Sequence, residues 1–183
     1  MLENFKMFQD IPISNIDIQE YLSYFSDKPF KYIHVNDLPN MDMDSVFDVD
    51  EKRVFAVLFV SYPGQEVGHW IVLLNRGDDE LELFDSLSLM NEYAEILEPI
   101  VLFAKKVNKS ITYNSYPLQS RESNTCSRWV CLRVLLAYMA NREFIDFIIR
   151  SVCIKGSKKA LTKPQLKKTD KFVSTIIRFV KKK

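Results

Sequence analysis

Two short apolar runs, His69-Trp70-Ile71-Val72-Leu73-Leu74 and Leu81-Glu82-Leu83-Phe84-Asp85, flank the turn-rich segment Asn75 to Glu80, and this pairing constrains the fold more than any other stretch. Strand-like runs joined by a glycine-containing turn read as an antiparallel hairpin. With the turn centred near Gly77, position 69 opposes position 85. That register puts the His69 imidazole and the Asp85 carboxylate on one face of a sheet. The run Val54 to Tyr62, stopped by Pro63-Gly64, reads as a central strand, and Ile111 to Tyr116 alternates like another.

Helical patterns surround these strands. Asn15 to Phe25 reads as an amphipathic helix entered through Ser14 or Asn15, and Met41 to Glu51 as a loop or loose helix. Ser88 or Asn91 opens a helix ending in Lys105-Lys106, with Pro99 kinking or dividing it. Further helices are expected from about Arg142 to Cys153, and beyond Pro164 through Phe172, Ile176, Ile177, Phe179 and Val180. The expected class is α+β: a central mixed, mostly antiparallel sheet flanked by helices.

One domain over residues 1–183, with a basic C-terminal helical tail over 155–183, is the expected organisation. A chain of 183 residues that is 47% hydrophobic buries a core without disulfides or metals. No apolar run approaches the roughly 20 residues that span a bilayer, and Met1-Leu2-Glu3-Asn4 is unlike a signal peptide. Three unevenly spaced cysteines suit a reducing compartment. The expectation is an intracellular monomer with no membrane partner.

Charge is distributed unevenly. Residues 155–183 hold eleven Lys or Arg and one acid, Asp170, a balance of +10, which leaves the rest of the chain at −9. A basic tail on an acidic body binds nucleic acid, an acidic partner or its own body. Lys158, Lys159, Lys167 and Lys168 are the candidate contacts, and a solvated lysine surface is the competing explanation.

The reactive chemistry centres on Asn124-Thr125-Cys126-Ser127-Arg128-Trp129-Val130-Cys131, where capping residues run into an apolar helix reaching Met139. Cys126 opens that helix, where unpaired N–H groups and the helix dipole stabilise a thiolate. Cysteine is also a small apolar filler, so its company decides its role. A thiol nucleophile needs a base, and that base needs an orienting acid. Of the two histidines, His69 has Asp85 in register and His34 has no carboxylate. Both precede every cysteine, so a Cys–His enzyme here runs histidine, acid, cysteine. Cys131 lies on a different helix face from Cys126 and, like Cys153, reads as packing. No CxxC or HxxxH spacing exists for zinc, so no metal site is expected.

The series Gly68-His69-Trp70, Phe84-Asp85-Ser86, Gln119 and then Cys126 resembles the adenovirus-type cysteine proteases, a clan that includes SUMO- and ubiquitin-like-specific proteases and maturation proteases of large DNA viruses and virophages. Asn124-Thr125-Cys126-x-Arg128-Trp129 with Arg133 is most similar to the viral and virophage members, and the resemblance spans about Val54 to Tyr138. It implies a papain-like catalytic core with permuted order. Cys126 would be the nucleophile, His69 the base, Asp85 its acid and Gln119 a donor to the oxyanion hole, with Trp70 lining the substrate cleft. It implies a maturation endopeptidase that cuts capsid proteins after small residues, in the virion and host-cell cytoplasm. No cofactor is required, with DNA or a peptide as a conceivable activator, and DNA is a candidate partner of the tail. Relatives carry glycine where this chain has Ser127. The competing readings are a deconjugating protease for ubiquitin-like modifiers and a non-catalytic nucleic-acid- or capsid-binding protein with a vestigial site.

Overall fold

The computed structural model describes residues 13–24, 32–47, 54–61, 68–154 and 160–178. The strands are β1 (Tyr32–His34), β2 (Phe55–Val60), β3 (His69–Asn75), β4 (Glu80–Phe84) and β5 (Ser110–Tyr113). The α-helices are α1 (Asn15–Ser23), α2 (Met43–Phe47), α3 (Ala94–Lys106), α4 (Cys126–Leu135), α5 (Asn141–Ser151) and α6 (Lys163–Ile176), with 3-10 turns at Val35–Asn40 and Leu89–Asn91. The five strands form one mixed sheet in the order β1-β2-β3-β4-β5, flanked by helices.

The sheet is antiparallel only at its centre. β2 and β4 run antiparallel to β3, while β1 joins β2 and β5 joins β4 in parallel. The expectation of a mostly antiparallel sheet fails at both edges. Helix α3 carries the chain from the end of β4 back to its start, so β5 must enter in the same direction. β1 is too short to show as a run in the sequence. Pro99 lies inside a single continuous α3, whereas α4 ends at Leu135 and gives way to turns before Met139. Phe179 and Val180 lie outside the described residues.

Helices cover both faces, which explains why β3 is buried along almost its whole length rather than alternating. Trp70, Val72, Leu74, Val57 and Phe84 pack against Trp129 and Val130 of α4, Ile18 and Leu22 of α1, Phe144 and Ile148 of α5, and Val173 of α6. Ile71, Leu73, Leu58, Leu81 and Leu83 pack on the other face against Leu38, Phe47, Ile100 and Phe103. Local signals agree with these elements. Ser14 caps α1 and forms a reciprocal box with Asp17, and Pro164 sits in the first turn of α6, where its missing N–H costs nothing.

The hairpin register differs from expectation by two residues. Phe84 opposes Val72 and Leu81 opposes Asn75. Arg76 N–H donates to the Glu80 carbonyl at 3.0 Å, closing a turn over Gly77, Asp78 and Asp79, with Gly77 at φ 107°. Glycine opens this turn rather than sitting at its apex, so the centre moves to Asp78. A shift of two residues preserves the facing of every side chain, where a shift of one would invert it.

The hairpin is fastened to the helices by a buried ion cluster. Glu82 Oε1 accepts from Arg76 Nη2 at 2.7 Å and Arg133 Nη2 at 2.6 Å, and Oε2 accepts the Asn141 N–H at 2.8 Å. Arg133 is fully buried and also bonds the carbonyls of Leu136 and Met139. Removing the acid would leave the fully buried Arg133 guanidinium without its counter-charge and beside the half-buried Arg76. Glu82→Leu should therefore lose about 3–5 kcal/mol of stability, the range for a broken buried pair. Urea denaturation checks this, and a loss below about 1 kcal/mol would mean water reaches the cluster.

Candidate active site

The site lies where β3 begins, β4 ends and α4 begins. His69 is the first residue of β3, Asp85 follows the last residue of β4, and Cys126 is the first residue of α4. Gly68 fixes the entry to β3. A Cβ there would lie 2.5 Å from the Val60 carbonyl oxygen and clash with the Phe59 ring, so only glycine lets the chain pass this close.

His69 Nε2 bonds Asp85 Oδ1 at 2.6 Å, with His69 4% and Asp85 1% exposed. The ring also hydrogen-bonds the Cys126 thiol, and with Nε2 committed to Asp85, Nδ1 is the nitrogen left for it. The Asp85 carboxylate accepts two backbone N–H groups as well, Leu87 at 2.9 Å on Oδ1 and Leu89 at 2.6 Å on Oδ2. Burial works against its charge, but His69 and these N–H groups outweigh it and hold the carboxyl below the usual range. Burial likewise opposes the imidazolium, yet the Asp85 charge and hydrogen bond, with Cys126, push the His69 pKa up to about 10.

The thiols of α4 diverge. Burial disfavours the Cys126 thiolate, but the His69 hydrogen bond and charge, with the N–H groups of Trp70 and Ser127, bring its pKa below the ordinary value. Burial alone dominates at Cys131 and pushes that thiol up. Same helix, same residue type, opposite shifts: only Cys126 is placed to ionise. All three cysteines are free.

Gln119 is 2% exposed and held at both ends of its amide. Ser86 Oγ donates to Oε1 at 2.6 Å, and Nε2 donates to the Ser123 carbonyl at 2.8 Å. The Ser86 carbonyl accepts the N–H groups of Leu118 and Gln119, each at 2.9 Å. One Nε2 hydrogen is thereby used, and the second has no acceptor among the described residues. Trp70 is buried on the opposite face of β3 from His69, with Phe59 at 4.6 Å and Tyr32 at 5.5 Å between ring centroids. His34 stands apart. Its Nε2 meets Ser61 Oγ at 2.9 Å and its Nδ1 accepts the Asn36 N–H at 3.3 Å. Lys167 and Lys168 are exposed on α6, Lys167 3.7 Å from Glu122, and Lys158 and Lys159 lie outside the described residues.

Three groups had no role assigned from the sequence. Asn114 Oδ1 accepts the Asp85 N–H at 2.9 Å and its Nδ2 donates to the Asp85 carbonyl at 2.7 Å, so one side chain clamps the backbone of the acid. Ser86 orients Gln119. Asp170, visible beforehand only as the lone acid of the basic tail, accepts from Thr125 Oγ1 at 2.7 Å. Asn124 or Thr125 is the expected cap of α4; Thr125 takes the position but makes no side-chain cap bond.

No protein-family model matches the chain. It is similar to the uncharacterized protein V9 of Sputnik virophage, 25% identical over 165 residues, which cover 80% of this chain and 89% of that protein. The likeness ties the chain to a viral protein and assigns it no activity. Among the described residues, no helix is long and apolar enough to cross a membrane, and no group of three or more His, Cys, Asp or Glu is arranged to hold a metal.

Two outcomes follow from this geometry. Gly68→Ala should cost about 1–3 kcal/mol, an overpacking penalty, and slow Cys126 alkylation by displacing His69. Unchanged stability would show that β2 yields easily. The His69–Asp85 pair also has a pH signature, best read in a Cys126→Ser background where the thiol does not titrate. The raised His69 pKa means its stabilisation is full below the unfolded value of 6.5 and is lost as pH rises through the folded value. The depressed Asp85 pKa means its share is present above 3.8 and lost as pH falls through its folded value. The stability difference between this protein and its His69→Ala variant should therefore peak between about pH 4 and 6.5. A difference flat with pH in chemical denaturation would contradict the pairing.

Proposed function

We propose that the chain is a cysteine endopeptidase with Cys126 as nucleophile, His69 as base and Asp85 as orienting acid. The observation that carries this reading is the single imidazole held between a buried carboxylate and a thiol at the N-terminus of a buried helix. Proton transfer to His69 leaves a thiolate that two backbone N–H groups stabilise. The thiolate attacks a peptide carbonyl, and the developing oxyanion is received by the Cys126 N–H, which has no acceptor within the helix, and the free Nε2 hydrogen of Gln119. The imidazolium then protonates the leaving amine, and water hydrolyses the thioester with His69 as base. Asp85 holds the ring in one orientation throughout and does not itself take the proton.

The order His69, Asp85, Gln119, Cys126 and the resemblance to adenovirus-type proteases favour a papain-like catalytic arrangement in permuted order. Likeness to a virophage protein favours a viral setting, with capsid proteins as substrates, in the virion or host-cell cytoplasm. The clan resemblance supports cleavage after small residues, in a cleft bordered by Trp70. Ser127 is fully buried beside the nucleophile, and its Oγ has no hydrogen-bond partner among the described residues. Exposed Lys167 and Lys168 would suit an acidic partner such as packaged DNA.

Iodoacetamide alkylation of Cys126, read by mass spectrometry across pH, tests the reading. The wild-type protein should alkylate rapidly well below about pH 8.5, the ordinary thiol value, and His69→Ala should abolish this. An ordinary thiol profile, indifferent to the mutation, would sink the proposal. Gln119→Ala should leave alkylation intact while lowering peptide hydrolysis about 100-fold, the weight of one oxyanion donor.

A further inference from the structure

The C-terminal helix supplies a carboxylate to the loop that joins the two halves of the site. Asp170 is the only acid among residues 155–183, yet it is 3% exposed. Its Oδ2 accepts the Ser120 N–H at 3.0 Å, and its Oδ1 accepts Thr125 Oγ1 at 2.7 Å and Trp129 Nε1 at 3.4 Å. All three groups donate and the carboxyl oxygens accept, which suits the carboxylate form. Burial disfavours that charge, and the hydrogen bonds from the loop and from α4 offset part of the cost.

These donors bracket the reactive groups along the chain. Ser120 follows Gln119, Thr125 precedes Cys126, and Trp129 lies one turn into α4. The neighbouring Thr169 Oγ1 bonds the Leu118 carbonyl, so α6 holds the loop on both sides of Gln119. A threonine at this position ordinarily turns its hydroxyl onto the first N–H groups of its own helix. Here the hydroxyl is committed to Asp170 and makes no cap bond. The opening N–H groups of α4 stay free of it, and that of Ser127 reaches the Cys126 sulfur instead.

We propose that Asp170 is a positioning residue for acyl transfer, setting the separation of the Gln119 amide from the Cys126 N–H and keeping the start of α4 uncapped. It touches no reacting atom. The inference rests on the thiol-hydrolase reading and adds the C-terminal helix to the working parts of the site.

Two electrophiles applied to the full chain separate positioning from mere folding. p-Nitrophenyl acetate acylates the thiol through an oxyanion: the thiolate adds to the ester carbonyl, and collapse expels p-nitrophenolate and leaves a thioester. Iodoacetamide alkylates the same sulfur by displacing iodide at a saturated carbon, with no oxyanion. In Asp170→Ala, acylation of Cys126 should fall about 100-fold, as for a lost oxyanion donor. Alkylation and its pH profile should hold within about threefold, since both report the thiolate. Asp170→Asn should recover part of the acylation, because its amide oxygen can accept from Ser120 and its NH2 can donate to the Thr125 hydroxyl, while the long Trp129 Nε1–H contact is lost. Thr125→Val, which keeps the branched shape, tests the link if Asp170→Ala does not fold, with an expected selective loss of about tenfold. Parallel loss of both reactions in a folded variant, or loss of neither, overturns the proposal. A wild-type Cys126 no faster than a free thiol toward either reagent removes the protease reading and this inference with it.

Discussion

A buried negative charge at Asp85 organises the molecule around the end of the sheet. Out of water, a carboxylate must be matched by donors or become protonated, and the surroundings supply them from separate parts of the chain. Leu87 and Leu89 offer backbone N–H groups from the turn after β4, and His69 offers its ring from the start of β3. Asn114, just beyond β5, fixes the backbone of Asp85 from the far side. Three neighbouring strands are thus held in register where the ladder stops. An imidazole so gripped has one nitrogen left, and it faces the thiol.

The Cys126 end is organised by a different constraint, the burial of α4 along most of its circumference. Ser127 to Val134 are all buried, so the helix cannot rotate or slide without exposing apolar surface or stranding Arg133. The Glu82 cluster holds its C-terminal end against β4, while Asp170 holds its N-terminal end through Thr125 and Trp129. Two buried acids on different elements thereby clamp one helix. The opposite shifts of Cys126 and Cys131 follow from this placement: one thiol meets the imidazole and backbone N–H groups, while burial of the other outweighs the Arg128 charge near it.

Much of the arrangement was legible beforehand because it rests on local patterns. The apolar runs marked β2, β3 and β4, Ser14 marked the start of α1, and a carboxylate facing the same way as His69 at the far end of the hairpin marked the pair. The misreadings have physical causes. The turn around Gly77 carries several residues able to take the apex, so its centre and the register were underdetermined by two residues. β1 and β5 are short edge strands whose parallel direction is imposed by the crossovers that join them to β2 and β4. Thr125 looks like a cap because its residue type caps helices, but donating to a distant carboxylate, a charge-assisted bond, turns its hydroxyl away from the helix N–H groups it would otherwise accept from.

The sequence by itself determined which side chains can do chemistry: one histidine with an acid on the same face of a hairpin, and one cysteine at the mouth of an apolar helix. These follow from residue types and periods of two and 3.6, which are properties of short segments. Tertiary structure alone decided what aligns them. Asn114, Ser86 and Asp170 act across sequence separations of about 29, 33 and 45 residues, on Asp85, Gln119 and Thr125 respectively. No local pattern encodes such a partner, because a polar side chain near the end of a strand or on a helix face suits water equally well until the fold removes the water and leaves one donor or acceptor in reach.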